Sequence, residues 1–199
     1  MTIKICGITQ VEDALAAAAM GVHALGFVLW AKSPRAITVA ALAPILAKVP
    51  PLVTTVGVFV DPTEREIVVA RDAGIQVAQV HGAVPPLPAG MRLLRALTLG
   101  PGDGTLSSEV TGETPVLVDA HDPVKRGGTG CTVDWGRARL VARKRSIILA
   151  GGLTPENVGA AIQTVRPDGV DVSSGVERAP GRKDHDKLAA FVAAVRAHA

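Results

Sequence analysis

Apolar residues in this chain fall into short runs whose period switches between two and nearly four. At the start, Ile3 and Ile5 alternate with Thr2, Lys4 and Cys6, the period of a strand that buries one face, and Gly7 breaks the run. Eight runs of strand character, at 2–6, 24–29, 54–60, 75–80, 91–97, 116–119, 146–150 and 169–172, alternate with helical patterns. That alternation predicts stacked βα units around a parallel sheet. Eight units predict a closed barrel. An open doubly wound sheet would need fewer strands and carry a GxGxxG fingerprint in its first turn, where this chain reads Cys6-Gly7-Ile8-Thr9. With 199 residues, against about 250 in a usual barrel of this kind, the loops must be trimmed.

The helices between the runs have local start and stop signals. Alanines from Val11 to Met20 end at Gly21, a second helix spans 38–48 with Pro44 as a kink, and Asp61-Pro62 predicts an N-cap and first turn for a helix closing at Gly74. Pro85, Pro86 and Pro88, and the breakers from Gly100 to Gly112, predict short or degenerate helices after strands four and five. Asp134 is the expected cap of a helix through Arg143, Thr154-Pro155-Glu156 of the next, and 184–197 forms the last.

Length favours one domain over 1–199, and 48% hydrophobic with 20% charged residues predicts a globular chain. The first residues enter a strand pattern without an apolar leader and no run reaches membrane-span length, so a cytoplasmic protein with no membrane partner is expected. Cys6 and Cys131 make neither a disulfide framework nor a metal-ligand spacing, so no metal is expected. A net charge of +3 and a pI near 9.1 suit an anionic small molecule. Scattered arginines and 3% aromatic residues argue against a nucleic-acid surface.

Candidate chemistry gathers at the ends of the strand runs. Cys6 sits where the first strand meets a turn, a position that fits a reactive thiol and equally a small buried hydrophobe. Asp119 closes the sixth run in parity with Leu117, which makes it an inward-facing carboxylate, with turn-capping as the alternative. Gly127-Gly128-Thr129-Gly130, Gly151-Gly152-Leu153-Thr154 and Ser173-Ser174-Gly175 follow runs six, seven and eight. Any one of them reads as a tight turn. Together, where barrels commonly bind phosphate, Gly151, Gly152, Ser173, Ser174 and Gly175 predict a cradle of backbone N–H groups. Arg35 follows Pro34 in a loop, and guanidinium suits a two-point grip on a carboxylate. His81 ends the fourth run and could line the pocket.

These motifs, in this order, resemble the phosphoribosylanthranilate isomerase family across the whole chain. The carrying residues are Lys4-Ile5-Cys6-Gly7-Ile8, Gly26-Phe27-Val28 with Ser33-Pro34-Arg35, Val56 to Val60, Gln79-Val80-His81-Gly82, Asp119, the three glycine clusters, Val176-Glu177 and Lys183-Asp184. The resemblance implies a compact (βα)8 TIM barrel that performs the Amadori rearrangement of N-(5-phosphoribosyl)anthranilate in tryptophan biosynthesis. It implies no cofactor and a phosphorylated small-molecule partner. It puts the general base on Cys6, the general acid on Asp119 and the contact to the anthranilate carboxylate on Arg35. An aminoaldose phosphate with another aglycone, or a non-catalytic phosphate or nucleic-acid binding module, are the competing readings.

The ordinary thiol pKa of about 8.5 leaves Cys6 mostly protonated at neutral pH. Lys4 lies on the same strand face and Asp171 on the adjoining eighth strand, so the two are expected to pair inside the barrel, the ammonium also favouring the thiolate. Asp119 needs the opposite adjustment, a pKa raised by burial.

Overall fold

The computed structural model describes residues 1–99, 114–119 and 135–199. Eight parallel strands close in chain order: β1 (Thr2–Cys6), β2 (Ala24–Val28), β3 (Thr54–Val60), β4 (Val77–His81), β5 (Arg92–Thr98), β6 (Val116–Asp119), β7 (Ile147–Leu149) and β8 (Gly169–Val172), with β8 bonded back to β1. Among the described residues the helices are α1 (Val11–Ala19), α2 (Val39–Leu46), α3 (Glu64–Asp72), α4 (Trp135–Ala142), α5 (Val158–Val165) and α6 (His185–His198). A 3-10 turn at Ser174–Val176 and a hairpin of β9 (Glu177–Ala179) and β10 (Arg182–Lys183) lie between β8 and α6. No helix joins β4 to β5, as the prolines there predict; the segment after β5 lies outside the described residues. No helix among the described residues is long and apolar enough to cross a membrane.

Strand register decides which residues face inward. Neighbours in a parallel sheet share a face, so Lys4 with Asp171, Cys6 with Gly26, Val58 with Gln79, Val60 with His81 and Thr98 with Asp119 belong to one side. The other parity, including Ile3, Ile5, Phe27, Phe59, Val118 and Val170, packs with helix residues such as Ala17, Leu42, Ile67 and Phe191 in the main core. The first set therefore faces the barrel interior. Each large apolar side chain buried between strands and helices contributes about 1.5–3 kcal/mol, so the barrel wall is held mainly from outside. The interior is filled more sparsely, by Leu94, Ala96, Leu117 and Ala150 on one side and by Cys6, Val28 and Val58 on another.

Several helix starts differ from the sequence expectation. The cap of α3 is Thr63, whose Oγ1 accepts from Glu66 N at 3.3 Å while the Glu66 carboxylate accepts from Thr63 N at 2.7 Å. This reciprocal box satisfies two donors that Asp61 could not reach from two residues earlier. Asp61 instead takes a φ of +45° and accepts Ala83 N at 2.9 Å on Oδ1, bracing the turn after β4. Helix α5 starts at Val158, not within Thr154-Pro155-Glu156, because Asn157 Oδ1 accepts from Thr154 N at 2.8 Å and closes those residues into a turn. Asp184, expected as the first residue of the last helix, instead caps α6, accepting from Asp186 N and Lys187 N at 3.1 Å each. Pro44 lies inside α2, Thr38 caps that helix, and Trp135 packs against the main core. The expected Asp134 cap and the Gly127–Gly130 cluster lie outside the described residues.

Candidate active site

Strand β1 delivers two of the predicted residues to the barrel interior, one above the other. Lys4 Nζ donates to Asp171 Oδ2 at 2.8 Å, the pair expected from strand parity, with side chains only 1% and 8% exposed. Cys6 lies one layer nearer the C-terminal mouth. Opposite it is Gly26, where a Cβ would fall 2.9 Å from Cys6 Sγ and 3.1 Å from Lys4 Nζ. A side chain there would displace both groups, so the missing Cβ is what lets the thiol and the ammonium close together.

Burial opposes a charged Lys4, but Asp171 and Cys6 outweigh it and hold the ammonium above its ordinary range. For Cys6 the balance falls the other way. Burial pushes the thiol up, and Lys4, although it favours the thiolate as expected, does not overcome burial while Asp171 lies alongside. The expected pull of Lys4 toward the thiolate is therefore present, and burial outweighs it. The physical reason is that the interior excludes water more strongly than one already neutralised ammonium can offset.

Arg35 reaches the rim from the loop after β2. Its stem crosses the bare backbone of Gly7, where a Cβ would lie 2.7 Å from Arg35 Cδ and 3.1 Å from Ser173 Oγ, and where φ is +78°. Only glycine meets both conditions. Its guanidinium is held by Glu177, with Nε donating to Oε1 and Oε2 at 2.9 and 3.1 Å and Nη2 to Oε2 at 2.7 Å. Lys183 Nζ, fully buried, donates to the same Glu177 Oε1 at 2.9 Å, to Cys6 O at 2.5 Å and to Ser173 O at 3.1 Å. Burial resists the charge on Glu177, yet Arg35 and Lys183 hold its carboxyl below the usual range. Sequence reasoning gave neither residue a role, although both stand in the motifs that carried the family resemblance.

The glycine loops after β7 and β8 touch. Gly151 and Gly152 take φ of +89° and +63°, and Asn157 Nδ2 donates to Gly152 O at 2.9 Å, holding the first loop in shape. A Cβ on Gly175 would fall 1.9 Å from Leu153 O, so the turn carrying Ser173, Ser174 and Gly175 lies directly on it. Asp119, partly buried, ends β6 beside Thr98, three strands round the barrel from Cys6. His81 ends β4 on the interior face with its Nε2 3.0 Å from Gln79 Nε2, and Gln79, given no role from sequence although it stands in the same motif, is itself buried. Among the described residues no group of three or more His, Cys, Asp or Glu side chains could hold a metal ion. A cavity of about 550 Å³ lined by Leu29, Ile37, Val39, Phe59 and Val69 lies outside β2 and β3, and no predicted site residue lines it.

Three comparisons bear on this arrangement. The family model for N-(5'phosphoribosyl)anthranilate (PRA) isomerase matches residues 3–194. The N-(5'-phosphoribosyl)anthranilate isomerase of Pelobacter propionicus is 43% identical, the match covering 96% of this chain and 93% of the relative. The crystal structure of the phosphoribosyl anthranilate isomerase from Thermotoga maritima superposes with a TM-score of 0.86 at 35% identity over 99% of each chain. A phosphoribosyl anthranilate isomerase in complex with reduced 1-(o-carboxyphenylamino)-1-deoxyribulose 5-phosphate gives a TM-score of 0.82 at 34% identity, again over 99% of each chain.

Proposed function

The chain belongs to the N-(5'-phosphoribosyl)anthranilate isomerase family, and on that premise we propose that Asp119 and Cys6 are the acid and base of its reaction. It isomerises N-(5'-phosphoribosyl)anthranilate to 1-(o-carboxyphenylamino)-1-deoxyribulose 5-phosphate in tryptophan biosynthesis. Asp119 protonates the furanose oxygen, the C1–O bond breaks, and the lone pair of the anthranilate amine nitrogen forms the C1=N iminium. Cys6 then takes the proton from C2, giving an enolamine whose tautomer is the product ketone. Atoms balance without a cofactor.

The observation that carries the assignment is register. Cys6 and Asp119 end β1 and β6 on the interior face of one closed barrel, so an acid and a base meet a sugar from two sides of the mouth. The iminium cation formed by ring opening stands beside Cys6 and favours its thiolate at the step that takes the C2 proton. Gly151, Gly152, Ser173, Ser174 and Gly175 receive the phosphate through backbone N–H groups, and Arg35 grips the anthranilate carboxylate. The chain 1–199 acts as one barrel domain on a phosphorylated metabolite, in keeping with a cytoplasmic enzyme.

Cys6→Ala and Asp119→Ala test the roles. Each is expected to lower kcat by at least about 10²–10⁴-fold with an unchanged circular dichroism spectrum, following loss of anthranilate-type fluorescence from freshly generated substrate. Near-normal turnover by either folded variant refutes its assignment.

A further inference from the structure

The Glu177 carboxylate is occupied on every side: Arg35 donates through Nε and Nη2, Lys183 through Nζ at 2.9 Å, and Gly181 through its backbone N at 3.3 Å. A guanidinium is a rigid plane with five donors. Binding Glu177 along the Nε–Nη2 edge leaves Nη1 and the outer N–H of Nη2, the end-on edge, for a second carboxylate. Held so, Arg35 has little rotamer freedom left to lose when that carboxylate arrives. The same Lys183 ammonium bonds Cys6 O and Ser173 O. One buried cluster thus links the ends of β1 and β8 to the orientation of a loop arginine.

We infer that Glu177 is a positioning residue for the isomerisation: it fixes the guanidinium of Arg35 with its free edge preformed for the ring carboxylate, and Lys183 anchors it to the strand that carries Cys6. This rests on the assignment of Arg35 to that carboxylate. Because Glu177 acts through Arg35, its removal weakens only ligands bearing the carboxylate. A residue needed merely for the shape of the rim would weaken all of them.

The test measures Kd by calorimetry for reduced 1-(o-carboxyphenylamino)-1-deoxyribulose 5-phosphate and for its counterpart without the ring carboxylate. Glu177→Gln is expected to weaken the first by about tenfold and the second by less than about twofold, with KM for the substrate rising more than kcat falls. Arg35→Met is expected to show the same selectivity, and adding Glu177→Gln to it no further selective loss. Equal losses on both ligands in Glu177→Gln, or none, overturn the inference while Arg35→Met stays selective. If Arg35→Met is itself unselective, the assignment of Arg35 has failed and the inference falls with it. Should Glu177→Gln not fold, Glu177→Asp keeps the charge one methylene short. It is expected to give the same selectivity at smaller size, and an unselective loss overturns the inference in its turn.

Discussion

Replacing Lys4 by methionine removes the ammonium that balances Asp171 while keeping a side chain of similar length in the barrel interior. Asp171 Oδ2 loses its donor at 2.8 Å, and Oδ1, already buried without a partner among the described residues, offers no alternative. Leaving one member of a buried ion pair uncompensated costs about 3–5 kcal/mol. Whole domains have on the order of 5–15 kcal/mol, so this is a large share. At roughly 2–4 °C per kcal/mol for a chain of this size, the melting temperature should fall by about 6–20 °C. The Cys6 thiol should move further up, since Lys4 is the leading group that favours its thiolate. Adding Asp171→Leu should restore most of the lost stability, because the orphaned carboxylate goes with it, and should bring the thiol part of the way back. Urea unfolding reads the first effect. Thiolate ultraviolet absorbance against pH reads the second, in a Cys131→Ser background so that one of the two cysteines titrates. A loss below about 1 kcal/mol in Lys4→Met, a range typical of exposed pairs, or an unmoved thiol refutes the reasoning; so does a double variant no more stable than the single one.

Gly175→Ala should raise KM and destabilise the protein together, because its Cβ would fall 1.9 Å from the Leu153 carbonyl and force apart the two loops assigned to phosphate; parallel KM and melting measurements check it. Thr63→Ala breaks the capping box of α3, which no predicted site residue joins, and should cost about 1 kcal/mol in urea unfolding with kcat unchanged. Glu177 has a folded-state pKa below the ordinary 4.5, so its contribution to stability is full above that value and is lost as pH falls through the lowered one. Unfolding free energies in the acid range should therefore decline less steeply in Glu177→Gln than in the parent. Because the resting thiol lies above its ordinary range, kcat/KM, which reports the free enzyme, should keep rising with pH beyond about 8.5; a plateau reached below neutrality would contradict a Cys6 base.

Much of the fold and half of the site were determined by local pattern. Alternation located all eight strands to within a few residues, and β1, β3, β6 and β8 at their observed ends, because a two-residue period is written into every strand that buries one face. The same parity, with closure of eight units, is enough to put Lys4, Cys6 and Asp171 on one interior face and to pair the two charges. Only the tertiary structure decided what surrounds them. Arg35 meets Glu177 across 142 residues and Lys183 meets Cys6 across 177, contacts that exist because the barrel closes and the β9–β10 hairpin folds back over β1. No signal confined to a few neighbouring residues encodes such a meeting. Helix caps failed for a milder reason: Asp61 and Thr63 both carry capping side chains, and geometry chose the one with a glutamate three residues on. The state of Cys6 was least legible of all. Lys4 and Asp171 could be named from the strands, but whether their charges or the exclusion of water governs the thiol depends on how tightly all eight strands pack around it.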